Sequence, residues 1–126
     1  MSFSNTTETH VLTYLFTAFG VTRPSSWYLA LYTGAPSDSG GGTELSGDAY
    51  ARQSLSFAIS GDTASNVDAV EFPAATGSWG TITHAAVFDA SSGGNMIAHS
   101  ALTASKTIDS GDVFRITAGS LDITLD

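Results

Sequence analysis

Acidic side chains concentrate in two turn-rich segments of the sequence. Asp38, Glu44 and Asp48 fall in a glycine-rich stretch, and Asp109 and Asp112 flank a Ser-Gly pair. Carboxylate oxygens in loops are the ligands that Ca²⁺ prefers, so each segment is a candidate calcium site. Neither has the spacing of an EF-hand loop, and Asp and Gly are also the residues that tight turns require. We therefore interpret both segments as turns and predict no metal ligands in them.

The three histidines are His10, His84 and His99, and the last two fall on strands predicted to be neighbours. Two imidazoles on adjacent strands could meet and begin a zinc site. Such a site also needs a third ligand and an open position, and the sequence nominates no residue for that ligand. We interpret the histidines as hydrogen-bonded polar residues of a sheet, and we expect no metal and no other cofactor.

The patterns of the common nucleophiles and phosphate loops are missing from the sequence. There is no cysteine and no Gly-x-Ser-x-Gly elbow. The three glycines at residues 40–42 lack the Gly-Lys-Ser/Thr ending of a phosphate-binding loop. A glycosidase needs two carboxylates facing each other across a cleft, and none of Glu8, Glu44 and Glu71 has an evident aspartate partner. We expect no catalytic residues and no enzymatic activity.

The elements that position these side chains begin with a helix. Asn5 followed by Glu8 matches a capping box. Apolar residues then recur at helical spacing and form one stripe: Val11, Leu12, Leu15, Phe16 and Phe19. With Gly20 in the position of a C-terminal cap, the pattern predicts an amphipathic helix over residues 5–19. Its stripe is expected either to pack on the rest of the chain or to dock onto a partner protein.

Residues 27–126 show the pattern of a β-protein. Short apolar segments alternate with period two and are separated by turn signals about every 8–12 residues. The predicted strands cover residues 27–33, 50–59, 67–72, 79–89, 96–102, 106–108, 113–117 and 121–125. We predict a single domain, residues 1–126, that is mainly β. It is an antiparallel, jelly-roll-like β-sandwich with one N-terminal amphipathic α-helix.

One strand carries an unusual number of aromatic residues. If Trp27, Leu29 and Leu31 face the core, the alternation places Tyr28 and Tyr32 on the opposite face. Exposed tyrosines are typical of protein interfaces and of carbohydrate-binding platforms. Alternatively, the N-terminal helix covers them.

The charge balance excludes several classes of partner. Four Lys or Arg against twelve Asp or Glu give a formal net charge of −8, and the four basic residues are scattered. Neither nucleic acid nor an anionic membrane is an expected partner of such a surface. No apolar stretch approaches the about 18 residues of a membrane span, and the N-terminus has no secretory signal pattern. We expect synthesis in a cytoplasm.

Several motifs follow one another through nearly the whole chain. They are Asn5-Thr-Thr-Glu-Thr, Trp27-Tyr-Leu-Ala-Leu-Tyr-Thr, Gly42-Thr-Glu-Leu-Ser-Gly, Tyr50-Ala-Arg-Gln, Phe72-Pro-Ala-Ala-Thr, Trp79-Gly-Thr-Ile-Thr-His, Phe88-Asp-Ala, Ala101-Leu-Thr-Ala-Ser-Lys and Ala118-Gly-Ser-Leu-Asp-Ile-Thr-Leu-Asp. As a set they resemble a family of small bacteriophage virion proteins, often labelled tail fibre proteins. The resemblance implies a virion structural role, made in the host bacterial cytoplasm, with no catalytic residues.

Proteins of this size and compactness also resemble capsid decoration, or cement, proteins. Those are typically trimers that clamp adjacent capsid subunits from outside. We therefore favour a homotrimer on the capsid exterior that binds the major capsid protein. The alternative is a tail fibre or tail-tip protein that contacts the host surface, with an aromatic or acidic pocket for carbohydrate. The candidate interface residues lie on the helix, the tyrosine strand and the glycine-rich loop: Val11, Leu15, Tyr28, Tyr32, Gly41, Glu44 and Leu45.

Overall fold

The computed structural model describes residues 1–125 as one helix and eleven strands. The helix α1 spans Asn5–Phe16. The strands are β1 (Ser2–Phe3), β2 (Trp27–Gly34), β3 (Thr43–Glu44), β4 (Gln53–Leu55), β5 (Phe57–Ser60), β6 (Thr63–Asn66), β7 (Val70–Glu71), β8 (Gly80–Phe88), β9 (Met96–Ile108), β10 (Arg115–Ile116) and β11 (Asp122–Thr124). The prediction of a mainly β protein with antiparallel pairing and one helix near the N-terminus is confirmed.

The strands form one large and two small sheets. The large sheet has the order β1-β9-β8-β2-β3, and β4 also pairs with β2. The small sheets are β10-β7 and β11-β6-β5. One buried cluster takes side chains from all three sheets, including Leu31 of β2, Val70 of β7 and Ile123 of β11. The sheets are therefore arranged as an open sandwich around a common core, an arrangement that does not confirm the jelly-roll connectivity.

Strand β2 is buried on both faces, which corrects one prediction. Leu29 and Leu31 face the main core as expected. Tyr32 was predicted to lie on the opposite face, either exposed or covered by the N-terminal helix, but it is only 4% exposed and packs in a second buried cluster with Phe88 and Met96 that contains no residue of α1. It lies opposite Glu44, because β3 pairs with β2 at this point. Tyr32 therefore offers no free surface to a partner.

The helix begins at Asn5, as predicted, but its capping residue and its end differ from the prediction. The residue that caps its N-terminus is Ser4, not Asn5, and the Ser4 hydroxyl accepts a hydrogen bond from the Thr7 N–H. The helix ends at Phe16, three residues before the predicted end. Thr17 adopts an extended backbone and its hydroxyl bonds the Thr13 carbonyl, so a threonine ends the helix well before Gly20.

Three strand predictions also need correction. Residues 96–102 and 106–108 belong to one strand, β9, whose register with β8 shifts so that four residues (102–105) match a single residue of β8. The predicted strand over residues 50–59 is divided into β4 and β5. Strand β6 was missed because its sequence, Thr-Ala-Ser-Asn, has no apolar alternation. This segment is a strand because its backbone pairs with β5 on one side and β11 on the other.

The glycine-rich loop gives a first testable prediction. Gly41 and Gly42 both have positive φ, at 75° and 76°. A Cβ on Gly41 would meet no atom within 4 Å, whereas one on Gly42 would lie 2.7 Å from the Gly34 carbonyl oxygen. We expect Gly41→Ala to cost about 1 kcal/mol of unfolding free energy, from backbone strain alone. Gly42→Ala should cost about 1–3 kcal/mol more, because backbone atoms must move. Urea denaturation measures both, and equal losses would contradict the described contact.

Candidate functional site

The N-terminal helix exposes most of its apolar side chains. No residue of α1 is buried, although its sequence is rich in leucine and aromatic residues. Phe16 and Phe19 expose 77% and 78% of their surface. We call the exposed side chains of α1 and the turn after it the α1 patch: Leu12, Tyr14, Leu15, Phe16 and Phe19. The predicted stripe therefore forms, but it does not pack into the core of its own chain.

Only the first turn of α1 is fastened to the sheet. Ser4 is buried, and its hydroxyl donates to the carbonyl of Met96. The Thr7 hydroxyl donates to the carbonyl of Ile97 at 2.8 Å, and the Asn5 N–H donates to that of Asp38 at 2.9 Å. Within residues 1–125, no hydrogen bond joins residues 8–22 to the strands. The patch is thus carried on a helix that is anchored at one end.

This anchor gives a second prediction. Ser4→Ala removes both the helix cap and the donor to the Met96 carbonyl. We expect a loss of about 1–2 kcal/mol in the free energy of unfolding, with lower helix content in far-UV circular dichroism. Ser2→Ala is the matched control, because Ser2 is an exposed residue of the neighbouring strand β1. Equal effects of the two substitutions would show that Ser4 is not the anchor.

A groove of about 960 Å³ separates α1 and the segment after it from the end of the large sheet. Its apolar lining comes from the helix, the connecting segment and the strands: Val11, Tyr14, Leu15, Val21, Pro24, Trp27, Met96 and Ile97. Its formal charges are one basic side chain, Arg23, and one acidic side chain, Asp89. Asp89 is already engaged, because its carboxylate accepts hydrogen bonds from the backbone and side chain of Asn95. The groove is a wide, mainly apolar surface.

The structure brings two predicted interface residues together in this groove. Val11 and Leu15 line it from the helix side, as members of the predicted stripe. Tyr14 and Trp27 were not predicted to belong to it. Tyr14 lies three residues after Val11, so helical spacing already places it on the same side of α1. Trp27 was predicted to face the core, and it does pack partly against the main cluster while also lining the groove.

The remaining candidates lie on β2, in the glycine-rich loop and directly after it. Gly41 is exposed, whereas Tyr28 and Leu45 are half-buried, and Leu45 packs against the main core. Glu44 is half-buried and bonded within the chain, as described next. Tyr32 is buried. None of these residues lines the groove, and among them only Gly41 is freely open to a partner.

Arg52 fixes the loop to the large sheet. Its guanidinium donates to both carboxylate oxygens of Glu44, with Nε–Oε2 at 2.9 Å and Nη2–Oε1 at 2.8 Å. Nη1 donates to the carbonyls of Ala90 and Gly93 at 2.9 and 2.8 Å. The guanidinium carbon lies 3.7 Å from the ring centroid of Phe88, within cation–π distance. One side chain thus joins the loop to the turn between β8 and β9.

Tyr50 completes this arrangement, and we call Glu44, Tyr50 and Arg52 the Arg52 cluster. The Tyr50 hydroxyl donates to Glu44 Oε2 at 2.7 Å and accepts from the Leu31 N–H at 3.1 Å. Burial is the main cause that raises the pKa of Tyr50 well above its usual value. Burial alone would raise the pKa of Glu44, but hydrogen bonds from Arg52 and Tyr50 and the charge of Arg52 outweigh it and lower that pKa.

These pKa shifts predict two pH limits for stability. The pKa of Glu44 is lower in the folded state, so its stabilisation is complete above about pH 4.5 and is lost as the pH falls through the folded-state pKa. The pKa of Tyr50 is higher in the folded state, so its stabilisation is lost as the pH rises above about 10. Unfolding free energy measured against pH should show a smaller acid slope in Glu44→Gln and a smaller alkaline slope in Tyr50→Phe, where the part that remains comes from Tyr32, whose pKa is also raised by burial. An unchanged acid slope in Glu44→Gln would contradict the first limit.

The described residues show no arrangement for a metal ion or a membrane span. Residues 1–125 contain no group of three or more His, Asp or Glu side chains placed to hold a metal. Asp38 instead pairs with His99, with Oδ1–Nε2 at 2.7 Å. His84 lies on the neighbouring strand, as predicted, but its Nδ1 contacts the Thr83 hydroxyl. Within the same residues, no helix has both the length and the hydropathy to cross a bilayer.

Comparison with known protein families gives a match over nearly the whole chain. A family model described as "Podophage GP4 fiber I protein gp80" matches residues 2–124, a span that includes α1 and every strand. No curated protein matches the chain.

Proposed function

The chain belongs to the podophage GP4 fiber I protein gp80 family of phage structural proteins, and we propose that it is a non-enzymatic component of a virion fibre that is held in the particle by its α1 patch. The observation that carries this proposal is the exposed, unpacked helix. Burying one leucine or phenylalanine side chain contributes about 1.5–3 kcal/mol. The five large side chains of the patch are each more than half exposed, so covering them with protein offers a substantial driving force for assembly.

A protein partner suits this surface better than nucleic acid. The sequence carries only four basic side chains against twelve acidic ones. Arg52 is bound to Glu44, and Arg115 lies 3.8 Å from Glu71. Phosphate binding needs clustered and available cations. We therefore propose that the patch binds virion protein, with neither DNA nor a membrane in contact with it.

The location in the particle divides the fibre hypothesis from the decoration hypothesis. A trimeric decoration protein on the capsid exterior, bound to the major capsid protein, is favoured only by small size and compactness. The family description names a fibre, and this favours the alternative. Both hypotheses place the patch against another virion protein, so the location itself is the discriminating observation.

The test is electron microscopy of particles that carry an epitope-labelled copy of the chain. Label at the fibres is the expected result, label over the whole head supports the decoration hypothesis, and particles without label overturn the virion role. A Leu15→Glu/Phe16→Glu variant should enter particles at least about tenfold less well, because each change places a charge in the patch. Ile59→Glu is the matched control, since Ile59 is an equally exposed apolar residue on β5. Equal loss with both variants would contradict the role of the patch.

A further inference from the structure

We propose that the partner of the α1 patch is a second copy of the same chain, whose helix fills the groove of its neighbour. This inference rests on the proposed function only in taking the patch as an assembly surface. Helix-in-groove contact is a common mode of protein recognition, and here one segment supplies both halves of it. The apolar groove, the projecting helix, the charge distribution and the exposed area each bear on the choice of partner.

The helix presents two adjoining apolar sides. Residues three and four positions apart share a side of a helix, so Val11 and Leu15 lie together facing the groove. Leu12 and Phe16 lie together on the next side, outside the groove lining. Each copy therefore carries an apolar ridge directly beside an apolar recess. The apolar ridge of one copy can therefore pack into the apolar groove of another copy, and no other segment of the chain is needed for this contact.

The charge distribution favours a copy over a partner of opposite charge. Residues 9–22 contain no Asp, Glu, Lys or Arg, and the charges of Arg23 and Asp89 in the groove cancel. Two copies with a formal charge of −8 repel each other, so they can meet only through an uncharged surface. A cationic partner would instead be drawn to the acidic residues of the small sheets and their turns: Asp62, Asp68, Glu71 and Asp122.

The exposed area is of the size that a stable contact needs. An aromatic side chain buries about 150–250 Å² when fully covered, and the patch has three aromatic side chains and two leucines that are more than half exposed. The patch thus offers roughly 600 Å² of apolar surface. A standard interface buries about 800 Å² per partner, so the patch together with the groove residues that lie outside it reaches this size.

Sedimentation velocity of the full chain over a wide concentration range tests the proposal. The wild type should form an assembly of two or more copies, and Leu15→Glu/Phe16→Glu should raise its dissociation constant at least about a hundredfold, because each substitution affects a central apolar contact. Ile59→Glu should leave it unchanged. Because no residue of α1 is buried, thermal unfolding should show that the variants remain folded. Added salt should tighten the assembly, since it screens the repulsion between acidic copies.

Photo-crosslinking identifies the contact itself. A benzoylphenylalanine in place of Phe16, mixed with an isotopically heavy wild-type chain, should attach to heavy peptides from the groove, such as those containing Trp27 or Met96. The same group in place of Ile59 should attach to no heavy groove peptide. Crosslinks that fall only outside the groove would overturn the proposal.

The outcomes separate this inference from the proposed function. A wild type that stays monomeric at every concentration, together with loss of the Leu15→Glu/Phe16→Glu variant from particles, would show that the patch binds another virion protein. That result overturns self-association and leaves the virion role in place. Self-association through the groove in a protein that is absent from particles would support this inference and remove the proposed function.

Discussion

Replacing Arg52 with alanine is expected to lower the free energy of unfolding by about 3 kcal/mol. The Arg52 side chain is only 8% exposed and its partner Glu44 is 25% exposed. Removing one member of a largely buried ion pair leaves the other charge without compensation, which costs about 3–5 kcal/mol when burial is complete. The substitution also removes the donor to the Ala90 and Gly93 carbonyls. Because Glu44 keeps some contact with solvent, we place the loss at the lower end, as measured by urea denaturation at neutral pH.

The matched control is Arg115→Ala. The Arg115–Glu71 pair is separated by 3.8 Å, and both side chains are more than half exposed. Such pairs contribute about 0–1 kcal/mol, so the control should change stability little. A double substitution with Glu44→Gln should recover part of the loss in Arg52→Ala, because no charge is then left unpaired. Equal effects of Arg52→Ala and Arg115→Ala would contradict the role assigned to the Arg52 cluster.

The second large effect is expected from Phe72→Ala, at about 3–5 kcal/mol of unfolding free energy. Phe72 is 1% exposed and lies at the centre of an aromatic group. Its ring stacks on Tyr50 at 6.0 Å between centroids, and it meets Trp79 and Phe114 edge to face at 6.3 and 5.8 Å. Truncation leaves a cavity between rings that cannot easily close. Chemical denaturation followed by tryptophan fluorescence and by far-UV circular dichroism measures the loss.

Phe19→Ala provides the comparison for this substitution. Phe19 is exposed and packs on no core cluster, so its loss should change monomer stability by about 0.5 kcal/mol or less. The comparison is made at low protein concentration, where self-association does not contribute. A loss below about 1.5 kcal/mol for Phe72→Ala would show that the core relaxes around the missing ring.

The burial of Tyr32 shows how far alternation along a strand can be used for prediction. The period-two pattern placed Leu29 and Leu31 correctly on the main core. The same pattern says nothing about what covers the opposite face. Here that face is covered by the segment that follows β2. This segment places Glu44 opposite Tyr32 and the Arg52 guanidinium over the ring of Phe88. In the sequence Arg52 was one of four scattered cations, and only the fold of the loop reveals its partners.

The helix illustrates a different limit. Its apolar stripe and its first residue could be predicted, because side-chain spacing and capping patterns are local properties, although the capping residue is Ser4 and not Asn5. Spacing cannot distinguish a stripe that packs on its own chain from one that awaits another protein, since both require the same pattern. The phage resemblance carried by the motifs is confirmed by the family match, but motifs likewise do not place the protein within the particle.

The one-ended attachment of α1 has a consequence for the order in which the protein matures. A helix of twelve residues is marginal in water when tertiary contacts do not support it, and here those contacts come mainly from the first turn. The later turns should therefore open and close rapidly in an isolated copy, with fast amide hydrogen exchange, while the sheet stays protected. Incorporation into a larger structure would then complete the folding of this segment. In newly made, unassembled copies the later turns of α1 should therefore be only partly folded, and they become fully helical when the copy is incorporated.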